Sequence, residues 1–232
     1  MKARKQYFSL NTGEDQAVIY IYGDITSWEW AEGDVSSYTL ARAIEGITAP
    51  ELHVYINSYG GEVAEGLAIY NALKRSPARV VTHADGFVCS AAMLPYLAGE
   101  ERIMSTASLL MVHNAWTYTE GNAIELRKAA DDLDAITQAT VNAYMTVFRQ
   151  DEAALKALMD AESWILPGDA LEMGLATAIV NAPNSQRASQ NVRKRVNALL
   201  QRALFQAPQP EAPPPPQAEE NQPLKFLEAL TK

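Results

Sequence analysis

The sequence predicts a layered α/β domain, and three observations carry that expectation. Short β-branched runs alternate with longer segments of helical period. One such run leads straight into a Gly-Gly turn and an amphipathic segment, and another leads into a serine at the start of a helical stretch. Taken in order, Ala17 to Ile25 reads as the first strand and Leu52 to Asn57 as the second. The turn Ser58-Tyr59-Gly60-Gly61 follows, then a helix from Val63 to Arg75 that ends near Ser76-Pro77. Arg79 to Ala84 reads as a third strand broken by Asp85-Gly86, and Ser90 to Leu97 as the helix after it. Leu109 to His113 makes another strand. The longest helix is expected from Ala123 to Arg149, with Leu133, Ile136, Thr140, Tyr144 and Phe148 on one stripe. A helix over Gly168 to Met173 and a strand over Ala176 to Val180 close the domain.

With 232 residues, 48% of them hydrophobic, the chain can bury one sizeable core and keep residues for an appendage. The net charge of -9 and pI near 4.9 argue against a nucleic-acid partner, because phosphate neutralisation needs clustered Lys and Arg. The single cysteine, Cys89, excludes an internal disulfide framework. It cannot build a Cys-rich zinc site with the scattered His53, His83 and His113 either, so neither a metal nor a cofactor is expected. The basic start Met1 to Tyr7 is not followed by an apolar h-region, and no apolar run reaches about 18 residues. A cytoplasmic chain without a membrane span is therefore expected.

Composition divides the chain into a core-forming domain over residues 1–184 and an appendage over 185–232. Gln186 to Gln206 is polar and basic with helical character. Ala207 to Pro223 holds seven prolines and favours extended, solvated backbone over a packed core. Leu224 to Leu230 could make a short amphipathic docking segment.

The chemistry-bearing residues lie at the strand ends. A serine hydroxyl is a poor nucleophile near neutral pH and needs an imidazole to take its proton and donors to hold the developing oxyanion. Gly86-Phe87-Val88-Cys89-Ser90-Ala91-Ala92 puts Ser90 where a turn feeds a helix and aims the Ala91 N–H forward. Gly60-Gly61 offers a second backbone donor with no side chain in the way. His113, at the end of the apolar run Leu109 to Val112, is the candidate base. Each has an ordinary reading as well: a helix N-cap for Ser90, a plain turn for Gly60-Gly61, a satisfied core histidine for His113. Cys89 reads as a small buried hydrophobe rather than a reactive thiol.

Together these motifs resemble the Clp protease proteolytic subunit (ClpP) and its relatives among bacteriophage head-maturation proteases, over roughly Ala17 to Val180. The family's strand and Asn-Ser-Pro-Gly-Gly turn correspond to Tyr55 to Gly61, with Tyr59 replacing proline. Its Gly-x-x-x-Ser segment corresponds to Gly86 to Ser90, and its strand ending in the catalytic histidine to Leu109 to His113. The resemblance implies a ClpP/crotonase-like ββα-repeat fold and a serine endopeptidase. In it Ser90 attacks, His113 is base and then acid, and the N–H groups of Gly61 and Ala91 hold the oxyanion. Ala91 replaces the family methionine, which leaves a backbone donor intact. Counting back from Gly174-Leu175 to the family aspartate lands on Glu162, with Asp160 as runner-up. Tyr59 and Glu62 depart from the pattern beside the glycine turn.

The resemblance further implies a homo-oligomeric ring enclosing its sites, through the long helix after His113, acting on protein or peptide substrates. A housekeeping subunit would need an ATPase unfoldase. A phage maturation protease would cleave a capsid or scaffold precursor, in the host cytoplasm or procapsid, and the Pro-rich tail favours that alternative. Two other classes share the pattern in part. A crotonase-like acyl-CoA enzyme would use paired backbone donors without the Ser-His pair, and a non-catalytic scaffold would retain the fold with a decayed site.

Overall fold

The computed structural model describes residues 10–28, 36–180 and 198–199. Its elements run in chain order as β1 (Leu10–Thr12), β2 (Gln16–Tyr22), α1 (Ser37–Glu45), β3 (Glu51–Ser58), α2 (Val63–Arg75) and β4 (Arg79–Cys89). A single 3-10 turn over Ser90–Ala92 leads into α3 (Met93–Leu97), followed by β5 (Glu101–Ser105), β6 (Leu109–Val112), α4 (Ala123–Met145) and α5 (Glu152–Asp160). The domain closes with β7 (Ser163–Ile165), α6 (Pro167–Met173) and β8 (Ala178–Val180).

The strands form one sheet in the order β1-β2-β3-β4-β5-β8, with β6 on β4 and β7 on β6. All pairs are parallel except β1 with β2 and β6 with β7. Parallel neighbours need crossovers, which α1, α2 and α3 supply. Burial alternates strictly along β2 and β3, so that Ile19, Ile21, Leu52, Val54 and Ile56 are fully buried with Leu40, Ile69, Leu73 and Met93. Each such side chain contributes about 1.5–3 kcal/mol on leaving water. The opposite face carries the half-buried Tyr20, Tyr55 and His83, whose rings stack in sequence.

The α/β class and the ββα architecture agree with expectation, and α2 has the expected bounds. One local reading is corrected: β4 does not break at Asp85-Gly86 but runs on to Cys89. Its first half pairs β5 and its second half pairs β6, so the strand changes partner where a break was expected. The turn residues are absorbed by a register shift against β3, where Asn57 Oδ1 accepts the Phe87 N–H at 3.0 Å. Gly86 makes room for this, since a Cβ there would lie 2.4 Å from Asn57 Oδ1.

Four elements were not anticipated after the first strand: α1, β5, α5 and β7. The expected long helix stops at Met145 rather than Arg149, and α5 starts afresh with Asp151 accepting from the Ala154 N–H. Of the expected appendage, only Ala198 and Leu199 fall within the described residues, and Leu199 packs against the core. No helix among the described residues is long and apolar enough to cross a membrane.

β5 is held by a buried cation. Arg102 donates from Nε to Leu175 O (3.0 Å), from Nη1 to Gly99 O (2.8 Å) and from Nη2 to Gly174 O (3.1 Å). It thereby satisfies carbonyls just beyond the ends of α3 and α6. Arg102→Met keeps most of the apolar stem but orphans three acceptors, and is expected to destabilise the fold by about 2–4 kcal/mol. The shift in the chemical-denaturation midpoint measures it.

Candidate active site

The parallel strands deliver their C-terminal ends to one edge of the sheet, the usual place for chemistry in such folds. β3 leads into Gly60-Gly61, β4 into Ser90 and β6 into His113. β7 runs antiparallel to β6 with Val112 opposite Ser163, which sets Glu162 beside the same end. Four segments separated in sequence therefore converge because of strand register, not local folding.

Ser90 is held in a left-handed conformation (φ 55°), uncommon for a residue with a side chain, at the sharp passage from β4 into the 3-10 turn. His113 Nε2 lies 2.7 Å from Ser90 Oγ. With that nitrogen as acceptor, the hydroxyl proton is aimed at the imidazole. Burial holds the His113 pKa below its ordinary 6.5, and the charge of Glu162 opposes that shift without overturning it. The neutral, accepting form is the one favoured at neutral pH.

Glu162 is solvent-exposed, also has positive φ (47°), and reaches His113 through charge; no hydrogen bond joins the two among the described residues. Asp160 accepts from Asn114 Nδ2 at 2.7 Å and so anchors the residue after His113 rather than the imidazole. That contact separates the two candidate acids.

The glycine turn packs onto the serine. A Cβ on Gly60 (φ 103°) would sit 2.8 Å from Ser90 Cβ and 2.9 Å from Ala91 N, so only glycine allows this approach. Gly61 forms a parallel bridge with Ile25 through the groups of its neighbours: Ile25 N–H donates to Gly60 O and Glu62 N–H to Ile25 O, both at 2.8 Å. Its own N–H is thereby turned away from Ile25, and Gly61 lines a cleft of about 910 Å³ together with Ser90 and His113. The cleft wall is largely apolar, from Leu67, Leu133, Ile136 and Ala139, with Asp24 and Glu62 as its carboxylates. Tyr59, Phe87 and Trp164 form an edge-to-face chain beside the turn, with centroids 5.6 and 5.8 Å apart.

Comparison with known proteins identifies the family and the fold. Residues 10–183 match the Clp protease family. The chain belongs to the Clp protease family. The chain is 27% identical over 142 residues to an ATP-dependent Clp protease proteolytic subunit of Deinococcus radiodurans, covering 60% of this chain and 70% of that protein. It is 27% identical over 169 residues to ATP-dependent Clp protease proteolytic subunit 3 of Rhodococcus jostii, covering 72% and 82%. A solved point mutant of ClpP1 from Listeria monocytogenes superposes with a TM-score of 0.59 at 21% identity, over 71% of this chain and 91% of that one, and shares the fold. Membership makes this Clp protease family chain a serine-type peptidase.

Two features of the site went unseen in the sequence. Asn57, exposed near the end of β3 in the Tyr55-Ile56-Asn57-Ser58 motif, braces the strand that carries Ser90. Glu62 bonds back to residues 26 and 27. Cys89 is buried beside Ser90, and burial pushes its thiol up to about 11, so it stays protonated and inert at neutral pH.

Proposed function

We propose that this chain is a serine endopeptidase in which Ser90 is the nucleophile, His113 the general base and acid, Glu162 the orienting carboxylate, and the N–H groups of Gly61 and Ala91 the oxyanion donors. The 2.7 Å contact between His113 Nε2 and Ser90 Oγ is the observation that carries this reading. Ser90 Oγ attacks the scissile carbonyl carbon as its proton passes to His113 Nε2, and the carbonyl oxygen takes the negative charge facing the two backbone donors. Collapse expels the amine, which receives the proton from His113, and leaves an ester on Ser90. A water deprotonated by His113 then attacks the ester, and Ser90 leaves with the proton restored. A crotonase-like reading has no use for the Ser-His contact, and a decayed scaffold would not preserve it.

Residues 1–184 then act as the catalytic domain and 185–232 as an appendage; the reach of the family match, to residue 183, supports that division. The relatives' names favour a subunit of an ATP-dependent protease, hence a ring supplied by an ATPase unfoldase. The seven prolines of Ala207 to Pro223 favour the second reading, a phage or prophage head-maturation protease whose appendage contacts a capsid or scaffold precursor. Purified full-length protein is incubated with a folded substrate plus unfoldase and ATP, and separately with coat precursor alone, with products read by mass spectrometry. Cleavage only in the first arm supports the subunit reading, and cleavage of precursor without ATP supports maturation.

The cleft also implies a preference among short peptides. Its wall suits an apolar side chain beside the scissile bond, and Asp24 and Glu62 disfavour nearby anions. Peptides with an apolar residue there and flanking Asp are expected to show kcat/KM about 5-fold or more below their Lys-flanked counterparts, a gap that narrows with added salt.

A further inference from the structure

Glu62 occupies the N-cap position of α2, where a short Ser, Thr, Asp or Asn ordinarily caps the first turn, and it makes no capping bond there. Its carboxylate turns back instead. Oε1 accepts from Thr26 Oγ1 at 3.0 Å, from the Ser27 N–H at 3.1 Å and from Ser27 Oγ at 2.9 Å. Three donors on one oxygen hold the carboxyl well ionised, the Ser27 backbone N–H contributing most.

These bonds sit directly outside the backbone bridge between Ile25 and Gly61. That bridge consists of two hydrogen bonds and an approach so close that a Cβ on Gly61 would lie 2.0 Å from Ile25 O. An isolated bridge at a strand end is a weak register lock, and rotation of the Gly60-Gly61 peptide would re-aim the Gly61 N–H. The Glu62 side chain closes the pairing on the side facing Ser27, making two backbone bonds into a five-bond clamp.

We propose that Glu62 is a positioning residue for the hydrolytic reaction: its carboxylate clamps Thr26 and Ser27 to the glycine turn and so fixes the aim of the Gly61 N–H at the oxyanion. The inference rests on Gly61 being an oxyanion donor. A clamp of this kind acts on the transition state, where the oxygen carries charge, and little on substrate binding.

The test measures kcat, KM and the inhibition constant of a peptide boronic acid, whose tetrahedral adduct puts an anionic oxygen where the oxyanion forms. Glu62→Ala is expected to lower kcat about 10–100-fold, leave KM within about 2-fold and weaken the boronate by the same factor as kcat. Glu62→Gln keeps an acceptor for all three donors and is expected to restore kcat to within about 3-fold of the parent. Thr26→Val combined with Ser27→Ala removes two donors without touching Glu62. It should lower kcat and boronate affinity in parallel, and adding Glu62→Ala, which also removes the remaining Ser27 N–H bond, should cost less than it does in the parent. A rise in KM with kcat and boronate binding unchanged overturns the proposal, as does a loss from Glu62→Ala as large in the Thr26-Ser27 background as in the parent. If the parent protein forms no boronate adduct on Ser90, the underlying peptidase reading fails instead, and the two failures are distinct.

Discussion

Ser90→Ala is expected to lower kcat on peptide substrates by about 10⁶-fold while leaving the fold and melting behaviour essentially unchanged. The size of the loss follows from what the hydroxyl does: without Oγ no acyl-enzyme forms, and the remaining donors can only polarise a carbonyl awaiting attack by water. Removing the hydroxyl also disturbs little, because Ser90 is partly exposed and His113, which its Oγ contacts, borders the cleft and can turn to water. His113→Ala should fall nearly as far, and the double variant hardly further, since the two act as one unit. A Ser90→Ala enzyme retaining a hundredth of parental kcat would show that Ser90 is not the nucleophile.

Glu162→Gln is expected to cost on the order of 10³–10⁴-fold in kcat/KM, through loss of the charge that stabilises the imidazolium and orients the ring. The pH profile separates this role from a general structural one. The acid limb of kcat/KM reports protonation of the free base, so activity rises with pH through the His113 pKa. Burial places that pKa below 6.5, and the Glu162 charge is what keeps it from falling further. Glu162→Gln should therefore move the acid limb to lower pH even as it lowers the plateau. Asp160→Asn keeps an acceptor for Asn114 and leaves the imidazole's electrostatics nearly untouched, so its profile should stay at the parental position. An unmoved limb in Glu162→Gln would send the search for the third member elsewhere.

The parts of this site that could be read in the sequence are those fixed by strand ends. Ser90 and His113 each follow an apolar run directly and Gly60-Gly61 lies just beyond one, and parallel pairing of those runs is enough to gather them. Contacts that depend on register between distant segments were hidden. Glu62 looked like a departure from a pattern, and nothing in its neighbourhood points to Thr26 and Ser27, 36 and 35 residues away. Asp85-Gly86 carries an ordinary strand-breaking signal, overridden because the missing Cβ admits the Asn57 side chain into the sheet. β5 was missed because Glu101 and Arg102 look like surface charge. Arg102 is buried only because carbonyls from residues 99, 174 and 175 surround it, and no local propensity announces that.

Activation of Ser90 by His113 is tested most directly by fluorophosphonate labelling of the full chain, with intact mass and peptide mapping as the readout. One adduct per chain is expected, on Ser90, with its rate cut by orders of magnitude in His113→Ala and unaffected in Arg102→Met under conditions where that variant is folded. Labelling that persists in Ser90→Ala, or an adduct on Ser90 that forms equally fast without His113, would contradict it.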